Sequence, residues 1–349
     1  MTAVAGQAAE NVEETGGAAG RRGAPVPRNK KIRTGEGRFA AILVLPTVVL
    51  LAAIIGYPLI KAIIQSFQGD RGLDPATGFF NNGGQWVGLT NWTHWLGQRC
   101  GDVSCPPGNI GSEFWGATGV TFGFTLFEVV VDTVIGMLFA LMMHKAFKGR
   151  AIVRAAILVP WAIPTAVTAK LWFVIFSNGN GSQVGIFNRV FGLHINWFTE
   201  TWAARGAIMI ADIWKTTPFM ALLILTGLQI IPADIYESAR VDGATALQRF
   251  FRITLPLVKP ALAVAVLFRA MDVMRMYDLP AIMTGGANGT TTLSYLVARD
   301  IQEEGPYSAS ALSTITFLFI FITAFVLIKV LGANVFQQEK REKKEAKLA

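Results

Sequence analysis

The chain has 349 residues, of which 52% are hydrophobic and only 15% are charged, and its mean hydropathy is +0.44. These values exclude an ordinary water-soluble domain and favour a membrane protein. The net charge of +8 arises mostly from the loops that flank the apolar segments, and we infer no nucleic-acid partner from it.

Residues 1–38 form a basic N-terminal segment that is rich in Ala, Gly and Glu and lacks an apolar run. We therefore predict a disordered cytoplasmic segment rather than a cleaved signal peptide.

Six apolar stretches follow, each long enough to cross a bilayer. A hydrocarbon core about 30 Å thick needs roughly 20 apolar residues in a helix, whereas a barrel strand needs only about 10. The sequence therefore predicts an all-α membrane protein with a six-helix transmembrane domain over residues 39–331. The stretches are Phe39–Ile64, Phe114–Met143, Ala155–Phe176, Gly206–Ile231, Pro260–Thr284 and Ala309–Leu331.

Lysines and arginines are distributed unevenly between the two sides of these spans. Residues 1–38, 144–154, 232–259 and 332–349 contain 20 of the 31 Lys and Arg, and the loops on the opposite side contain five. Positively charged loops stay in the cytoplasm. We therefore predict a multi-pass membrane protein with both termini in the cytoplasm, in which 332–349 is a charged cytoplasmic tail.

Two cysteines, Cys100 and Cys105, lie in the long loop of residues 66–113 on the predicted outer side. Disulfides persist there, so the pair is a disulfide candidate, with two unrelated free thiols as the alternative. We predict no metal site, because only His94 lies nearby and a structural zinc site needs four ligands.

Nucleotide chemistry has no site of its own in this sequence. No Gly-x4-Gly-Lys-Ser/Thr loop occurs, so the chain lacks the usual cradle for ATP phosphates. The three histidines are far apart in the sequence and suggest no catalytic triad. We predict no catalytic residues and no bound cofactor, and hence a chain that is not an enzyme by itself.

The segment of residues 232–259 carries the most informative motif. It resembles the coupling-loop signature of bacterial ABC importer permeases, which reads Glu-Ala-Ala, three residues, Gly, nine residues, Ile-x-Leu-Pro. Ser238 replaces the first Ala of that signature. The matching residues are Glu237, Ala239, Gly243, Ile253, Leu255 and Pro256.

This resemblance implies a type I ABC importer permease fold, a location in the bacterial plasma (inner) membrane, and an assembly of several subunits. The expected partners are a second homologous permease, two copies of an ATPase that uses ATP and Mg, an extracytoplasmic binding protein or lipoprotein, and membrane lipid. The residues implied in coupling to the ATPase are Glu237, Ser238, Ala239, Asp242, Gly243 and Pro256.

We expect the coupling loop to be a short helix, a turn at Gly243 and a second helix that stops before Pro256. Its expected apolar side is formed by Tyr236, Ala239 and Leu247. Taken without the signature, the same pattern also fits an amphipathic helix lying on lipid.

Further motifs are similar to the carbohydrate branch of this family. They are Val87-Gly88-Leu89-Thr90-Asn91-Trp92, Leu158-Val159-Pro160-Trp161-Ala162-Ile163-Pro164, and Tyr277-Asp278-Leu279 with Thr284-Gly285-Gly286. The overall pattern resembles actinobacterial permeases for disaccharides such as trehalose or maltose. The resemblance implies sugar import by alternating access, driven by the partner ATPase.

Ionisable residues inside spans are costly and are candidates for function. The fifth span contains Arg269, Asp272, Arg275 and Asp278, which recur every third residue and are expected to pair along one side of the helix. They either join helices or contact substrate, and both roles stay open. Glu128 and Asp132, one turn apart in the second span, are expected to make contacts between helices.

In related sugar permeases the pocket is built from the third, fourth and fifth of these spans. By that resemblance, and with the charges of the fifth span added, the predicted substrate path consists of Trp161, Thr165, Asp212, Trp214, Thr216, Asp272, Val273, Arg275 and Met276. Val273 and Met276 differ from the polar residues of some maltose permeases.

Two other classes of protein compete with this interpretation. An ion-coupled secondary transporter could use intramembrane carboxylates as proton carriers, but it leaves the coupling signature unexplained. A membrane scaffold without a substrate path would use the charges of the spans only to hold helices together.

Overall fold

The computed structural model describes residues 34–73, 80–145, 147–177 and 185–345. The predicted disorder of the N-terminal segment falls mostly on residues 1–33, outside this set. By internal contacts the chain divides into two units, Met1–Tyr57 and Pro58–Ala349. The first contains helix α1, Thr34–Leu51, and a π-helical turn, Ala52–Gly56.

Helix α2, Tyr57–Gln65, begins at the last residue of the first unit, and a region of short elements follows it in the second unit. This region contains two antiparallel two-stranded ladders and a short helix, and it ends with the 3-10 turn Ile110–Glu113. Its elements are β1 Gly72–Leu73, β2 Phe80–Asn81, α3 Thr90–Gly97, β3 Arg99–Cys100 and β4 Val103–Ser104.

Long helices follow and account for most of the second unit. They are α4 Phe114–His144, α5 Arg150–Ala162, α6 Thr165–Phe176, α7 Ile186–Phe191, α8 Thr201–Gln229, α9 Ala233–Val241, α10 Ala246–Arg249, α11 Leu255–Val273, α12 Asp278–Met283, α13 Leu293–Glu303 and α14 Pro306–Glu345. A π-helical turn, Phe250–Thr254, joins α10 to α11.

Among the described residues, five helical segments are long and apolar enough to cross a membrane, and the bent pair α5–α6 raises the number to six if it counts as one span. The predicted all-α membrane fold is thus confirmed. The five segments are Ala41–Gln65, Ile110–His144, Thr201–Gln229, Ala246–Met283 and Pro306–Leu331.

The third predicted span is not the single helix that we expected. α5 and α6 meet at an angle of 93° around Ile163 and Pro164. Because proline has no backbone N–H and disfavours a helical residue before it, this pair of residues ends α5. By contrast, Pro218 lies within α8 without ending it.

The fifth predicted span also differs from expectation. It starts at Leu255, earlier than Pro260, and it is interrupted after Val273 before α12 begins at Asp278. The predicted helix stop before Pro256 is therefore wrong. Pro256 lies in the first turn of α11, where a missing N–H costs little, and the helical path runs through it.

α4 and α8 run in the same direction. α4 packs closely on α8, and α8 on α11, because small residues lie at the contacts. A Cβ atom on Gly136 would lie 3.0 Å from Cγ of Met220, and one on Gly227 would lie 2.4 Å from Cβ of Ala261 in α11. Small residues at such contacts let helix backbones approach, which is how membrane helices gain packing energy.

The second unit has two ends, which we name by their landmarks. The disulfide end contains Cys100 and Cys105 and the start of α4, and the Gly243 end contains the loop between α8 and α11. Three apolar clusters succeed one another between them, centred on Phe114, on Ile208 and on Ile224. Polar groups that lie between these clusters are therefore the candidates for function.

Candidate functional site

A pocket of about 210 Å³ opens halfway along α8. Four segments form its wall: the α5–α6 break, the middle of α8, the end of α11, and the break before α12. Its lining residues are Trp161, Thr165, Asp212, Lys215, Thr216, Asp272, Met276, Tyr277, Asp278 and Leu279. Because two walls are helix breaks, main-chain groups that a continuous helix would bond internally are brought close to the pocket.

One guanidinium holds this wall together. Arg269 is buried, and it donates from Nε to Asp132 at 2.5 Å, from Nη1 to Asp272 at 3.2 Å, and from Nη2 to Glu128 at 2.9 Å and to Asp212. We call these five residues the Arg269 cluster. Charge-assisted hydrogen bonds of this kind are strong, and a buried carboxylate without such a partner is strongly disfavoured.

The Arg269 cluster links three helices, since Glu128 and Asp132 belong to α4, Asp212 to α8, and Arg269 to α11. Asp132 also accepts a hydrogen bond of 2.5 Å from the hydroxyl of Thr217 in α8. The predicted contacts between helices by Glu128 and Asp132 are therefore present.

The charges of the fifth span do not form the repeating ladder that their spacing suggested. Of the predicted pairs along that span, the described residues show only Arg269–Asp272 within ion-pair distance. Arg275 instead donates from Nε to the carbonyl of Met271 at 3.2 Å. The break between Val273 and Asp278 interrupts the regular helical spacing on which the predicted ladder depended.

Within the Arg269 cluster, Asp272 is the carboxylate with most access to the pocket. Its side chain is 61% exposed, whereas those of Glu128 and Asp132 are fully buried. Asp272 thus has acceptor capacity left for a ligand, while its neighbours hold the wall in place.

Lys215 supports the opposite wall. Its Nζ donates to the carbonyl of Ile163 at 2.9 Å. That carbonyl lies at the α5–α6 break, where Pro164 has no N–H to continue the helix. A buried ammonium therefore stabilises the bend and positions Trp161 and Thr165 beside the pocket.

Two tryptophans of the predicted path have different surroundings. The indole of Trp161 stacks on Phe219, with ring centroids 5.5 Å apart, and it is 47% exposed beside the pocket. Trp214 contacts Trp172 and lines a separate apolar cavity of about 520 Å³ between α4, α5 and α8. The two indoles are thus not partners in one binding site.

Of the predicted path residues, the structure brings six together and leaves three outside the pocket. Trp214, Val273 and Arg275 do not line it, and Val273 is instead part of the apolar core. Sequence reasoning missed Lys215, Tyr277, Asp278 and Leu279 as lining residues. A signal for Lys215 existed, since it is a charged residue three positions after Asp212 within a span. The six residues that meet are Trp161, Thr165, Asp212, Thr216, Asp272 and Met276.

At the Gly243 end, α9 ends in a left-handed turn. Gly243 has φ +76°, and its N–H donates to the carbonyl of Arg240 at 3.1 Å while Ala244 donates to Ala239 at 2.9 Å. Glycine adopts this conformation without the steric cost of a Cβ atom. Thr245 and Gln248 then form a capping box that starts α10. The loop is therefore a compact peg.

The apolar side of this peg differs from the predicted one. The hydroxyl of Tyr236 lies 3.0 Å from Oγ1 of Thr254, so Tyr236 braces the loop against the start of α11. Val241 and Leu247 are 87% and 68% exposed and form the accessible apolar surface. Of the residues implied in coupling, Glu237, Ser238, Asp242 and Gly243 are exposed as well.

At the disulfide end, Cys100 and Cys105 are bonded across the β3–β4 hairpin. The His94 ring lies close to both sulfur atoms, within 4.8 Å. A sulfur atom in a disulfide is not a thiolate, so this group does not offer the ligands that a zinc site uses.

Acidic residues near the start of α14 make up a further charged group at this end. The carboxylate of Asp70 accepts hydrogen bonds from the N–H groups of Tyr307 and Ser308, at 2.9 and 2.6 Å, and so caps that helix. Burial, and then the nearby carboxylate of Glu304, raise the pKa of Asp300 to about 8. Asp300 therefore holds a proton at neutral pH.

A bundle of apolar helices around a charged pocket, with an exposed peg at one end, defines a multi-spanning membrane transport protein. Its fold is similar to a bacterial ABC transporter involved in the import of alginate, at a TM-score of 0.66 and 19% identity, covering 86% of this chain and 96% of that one. A second structure, that transporter with an alginate pentasaccharide-bound periplasmic protein, gives a TM-score of 0.65 at 20% identity, covering 85% and 93%.

The family described as "Binding-protein-dependent transport system inner membrane component" matches residues 132–337. This chain belongs to that family, whose members are non-catalytic permeases of ABC importers in the inner membrane. It is 36% identical over 306 residues to the trehalose/maltose transport system permease protein MalF of Thermococcus litoralis, covering 86% of this chain and 96% of that protein. It is 33% identical to the trehalose transport system permease protein SugA of Mycobacterium tuberculosis, covering 86% and 91%.

Proposed function

We propose that this chain is one permease subunit of an ATP-driven importer that moves a disaccharide such as trehalose or maltose across the plasma membrane. The observation that carries the proposal is the pocket halfway along the bundle, where acceptor-rich side chains lie beside an exposed indole. The names of the relatives support this choice of cargo.

The chemistry of the pocket suits an uncharged sugar. Asp272 and Tyr277 offer an acceptor and a hydroxyl for sugar hydroxyl groups, and Thr165 and Thr216 add two more hydroxyls. Trp161 offers an aromatic face to the C–H surface of a sugar ring. None of these groups is a nucleophile placed beside a base, so binding rather than reaction is the role that they fit.

The pocket volume supports a second subunit. At about 210 Å³ it is smaller than the roughly 300–1,000 Å³ of a typical ligand site, so this chain supplies one wall. A second, homologous permease would supply the other, and rocking of the two chains about the pocket would open it to each side in turn.

Orientation follows from the two ends of the bundle. We place the disulfide end outside, because disulfides persist there, and the Gly243 end in the cytoplasm, where the lysines and arginines concentrate. In this orientation the exposed peg meets one of the two partner ATPase copies, which bind ATP and Mg. Closure of the ATPases would move the peg and hence α8 and α11.

The test is uptake of radiolabelled trehalose and maltose by a deletion strain that carries the gene on a plasmid. Trp161→Leu should raise the uptake KM at least tenfold, because it removes the aromatic wall of the pocket. Trp214→Leu is the matched control, since its indole faces the other cavity and the KM should stay constant.

If the deletion strain still takes up both sugars normally, this choice of cargo is contradicted. If an uncoupler abolishes uptake while vanadate leaves it intact, the ATP-driven mechanism is contradicted and ion coupling is favoured. The relatives named above give no support to ion coupling.

A further inference from the structure

A second polar cavity, of about 450 Å³, lies at the disulfide end. Its wall consists of the start of α4, the first turns of α8, the loop of residues 285–291, and α13. An apolar layer that includes Phe124, Ile208 and Met283 separates this cavity from the 210 Å³ pocket. The two cavities are therefore different sites.

The loop that lines this cavity is held rigidly. Tyr295 donates its hydroxyl to the carbonyl of Gly285 at 2.7 Å, and Asn288 donates from its side-chain amide to the carbonyl of Phe198 at 2.5 Å. Gly286 has φ +72°, and a Cβ atom there would lie 2.2 Å from the Tyr295 ring. The cavity wall is thus preformed and does not depend on a ligand for its shape.

Two arginines line the cavity, and only one of them is neutralised. Arg299 forms a bidentate ion pair with Glu113, at 2.9 and 3.0 Å, and a further pair with Glu303. Arg205 donates from Nε to the carbonyl of Gly289 at 2.7 Å, and no carboxylate of the described residues lies within ion-pair distance of it. Arg205 is therefore the lining cation that has no carboxylate partner among the described residues.

The surroundings of Arg205 resemble the centre of a protein interface. Its guanidinium lies 5.0 Å from the ring of Trp202, which is 79% exposed. Arginine and tryptophan are enriched among the residues that contribute most to binding between proteins. A guanidinium also prefers a carboxylate, which it can engage through two parallel hydrogen bonds.

We propose that this cavity, which we call the Arg205 socket, receives an acidic side chain of the extracytoplasmic binding protein when that protein docks. The inference rests on the proposed function, because it requires the disulfide end to face outward. The guanidinium of Arg205 attracts the acidic side chain, the rigid loop keeps the socket open, and Trp202 packs against the rim of the partner.

The test measures ATPase activity of the assembled transporter in nanodiscs against the concentration of its sugar-loaded binding protein. Arg205→Gln keeps a donor for the Gly289 carbonyl but removes the charge. It should raise the half-saturating concentration at least tenfold and flatten its dependence on salt, while the maximal rate is unchanged. Arg189→Gln, a change at an exposed arginine on α7, is the matched control and should alter neither.

A thiol label gives a second readout, because both native cysteines are joined in the disulfide. Ala287→Cys at the exposed rim of the socket should react with a maleimide in the assembled transporter and be protected when the binding protein is added. If the maleimide fails to label Ala287→Cys even without the binding protein, another subunit covers the socket. That result overturns the inference.

The two levels of the proposal fail in different ways. Equal half-saturating concentrations for Arg205→Gln and the parent overturn the socket alone, since stimulation by the binding protein persists. Absence of any stimulation by a sugar-loaded binding protein, in the parent as well as in the variants, contradicts the proposed function itself.

Discussion

The Arg269 cluster and the peg around Gly243 differ in the burial of their side chains. In the cluster, buried charged side chains from three helices pair with one another. In the peg, Glu237 and Gly243 are exposed, and a Cβ atom on left-handed Gly243 would meet none of the described residues within 4 Å. The Arg269 cluster is thus held by contacts within the chain, whereas the peg leaves its side chains accessible to a partner.

The largest effect is expected from Arg269→Met, which breaks the interior half of this comparison. The change leaves several buried carboxylates without a cation, a situation that costs about 3–5 kcal/mol. We expect little folded protein in the membrane and uptake below one hundredth of the parent value. Detergent-extracted yield and radiolabelled uptake measure the two effects.

Arg275→Met is the control for that change, because Arg275 is exposed and has no ion pair among the described residues. Normal folding and uptake of Arg269→Met would contradict the structural role of the cluster.

Gly243→Asp tests the exposed half. The new aspartate must adopt the left-handed backbone conformation of Gly243, which costs about 1 kcal/mol, and it adds charge and bulk to the peg surface. We expect uptake to be abolished while the permease still reaches the membrane and assembles. Uptake and co-purification with the ATPase are the measurements.

Gly149→Asp is the matched control, since Gly149 has φ +88° and equally open surroundings, but lies in another loop. If both variants lose uptake to the same degree, strain rather than the peg surface explains the result.

Lys215→Met sharpens the interior half, because it removes one hydrogen bond and leaves the fold otherwise intact. A hydrogen bond from a charged group contributes about 1.5–3 kcal/mol, so the bent α5–α6 wall should be populated less and uptake should fall about tenfold or more. Lys215→Arg should restore part of the activity, since it can donate to the Ile163 carbonyl.

Lys170→Met, on the exposed face of α6, is expected to leave uptake unchanged. A Lys215→Met protein with the parent's uptake kinetics would rule out a positioning role for the ammonium.

The smallest effect, taken per pH unit, concerns Asp300, a buried carboxyl that forms no ion pair within the described part of the chain. Its pKa is about 8 in the folded protein against an ordinary value of 3.8, so the folded state holds a proton that the unfolded chain releases in this range. The stability that Asp300 contributes is therefore complete below about pH 4 and is lost as the pH rises through 8, by at most about 1.4 kcal/mol per pH unit.

Other charged groups surround this carboxyl, namely Glu303 and Glu304 on the same segment, Asp70 before β1, and His94 on α3. Melting temperatures between pH 5 and 8 should fall less steeply for Asp300→Asn than for the parent. Asp102→Asn, at the exposed hairpin, should keep the parent's slope. Identical slopes for all three proteins would contradict a buried, protonated Asp300.

Much of this protein is determined by its sequence alone. The length and apolarity of the spans determine the membrane fold, because a bilayer tolerates a backbone only when its hydrogen bonds are satisfied within helices. The coupling motif around Gly243 could also be identified from the sequence. It is local, and a glycine followed by a capping pair needs no distant contact to form its turn.

Only the tertiary structure decided which polar residues meet. Arg269 binds Glu128 and Asp132, which lie 141 and 137 positions earlier in the chain, whereas spacing within the span suggested local pairs. Trp161 lies beside the 93° bend of α5 and α6 and lines the pocket, whereas Trp214, on α8, lines a separate cavity. Such placements result from packing between helices, which depends on the whole bundle and not on the order of residues within any one segment.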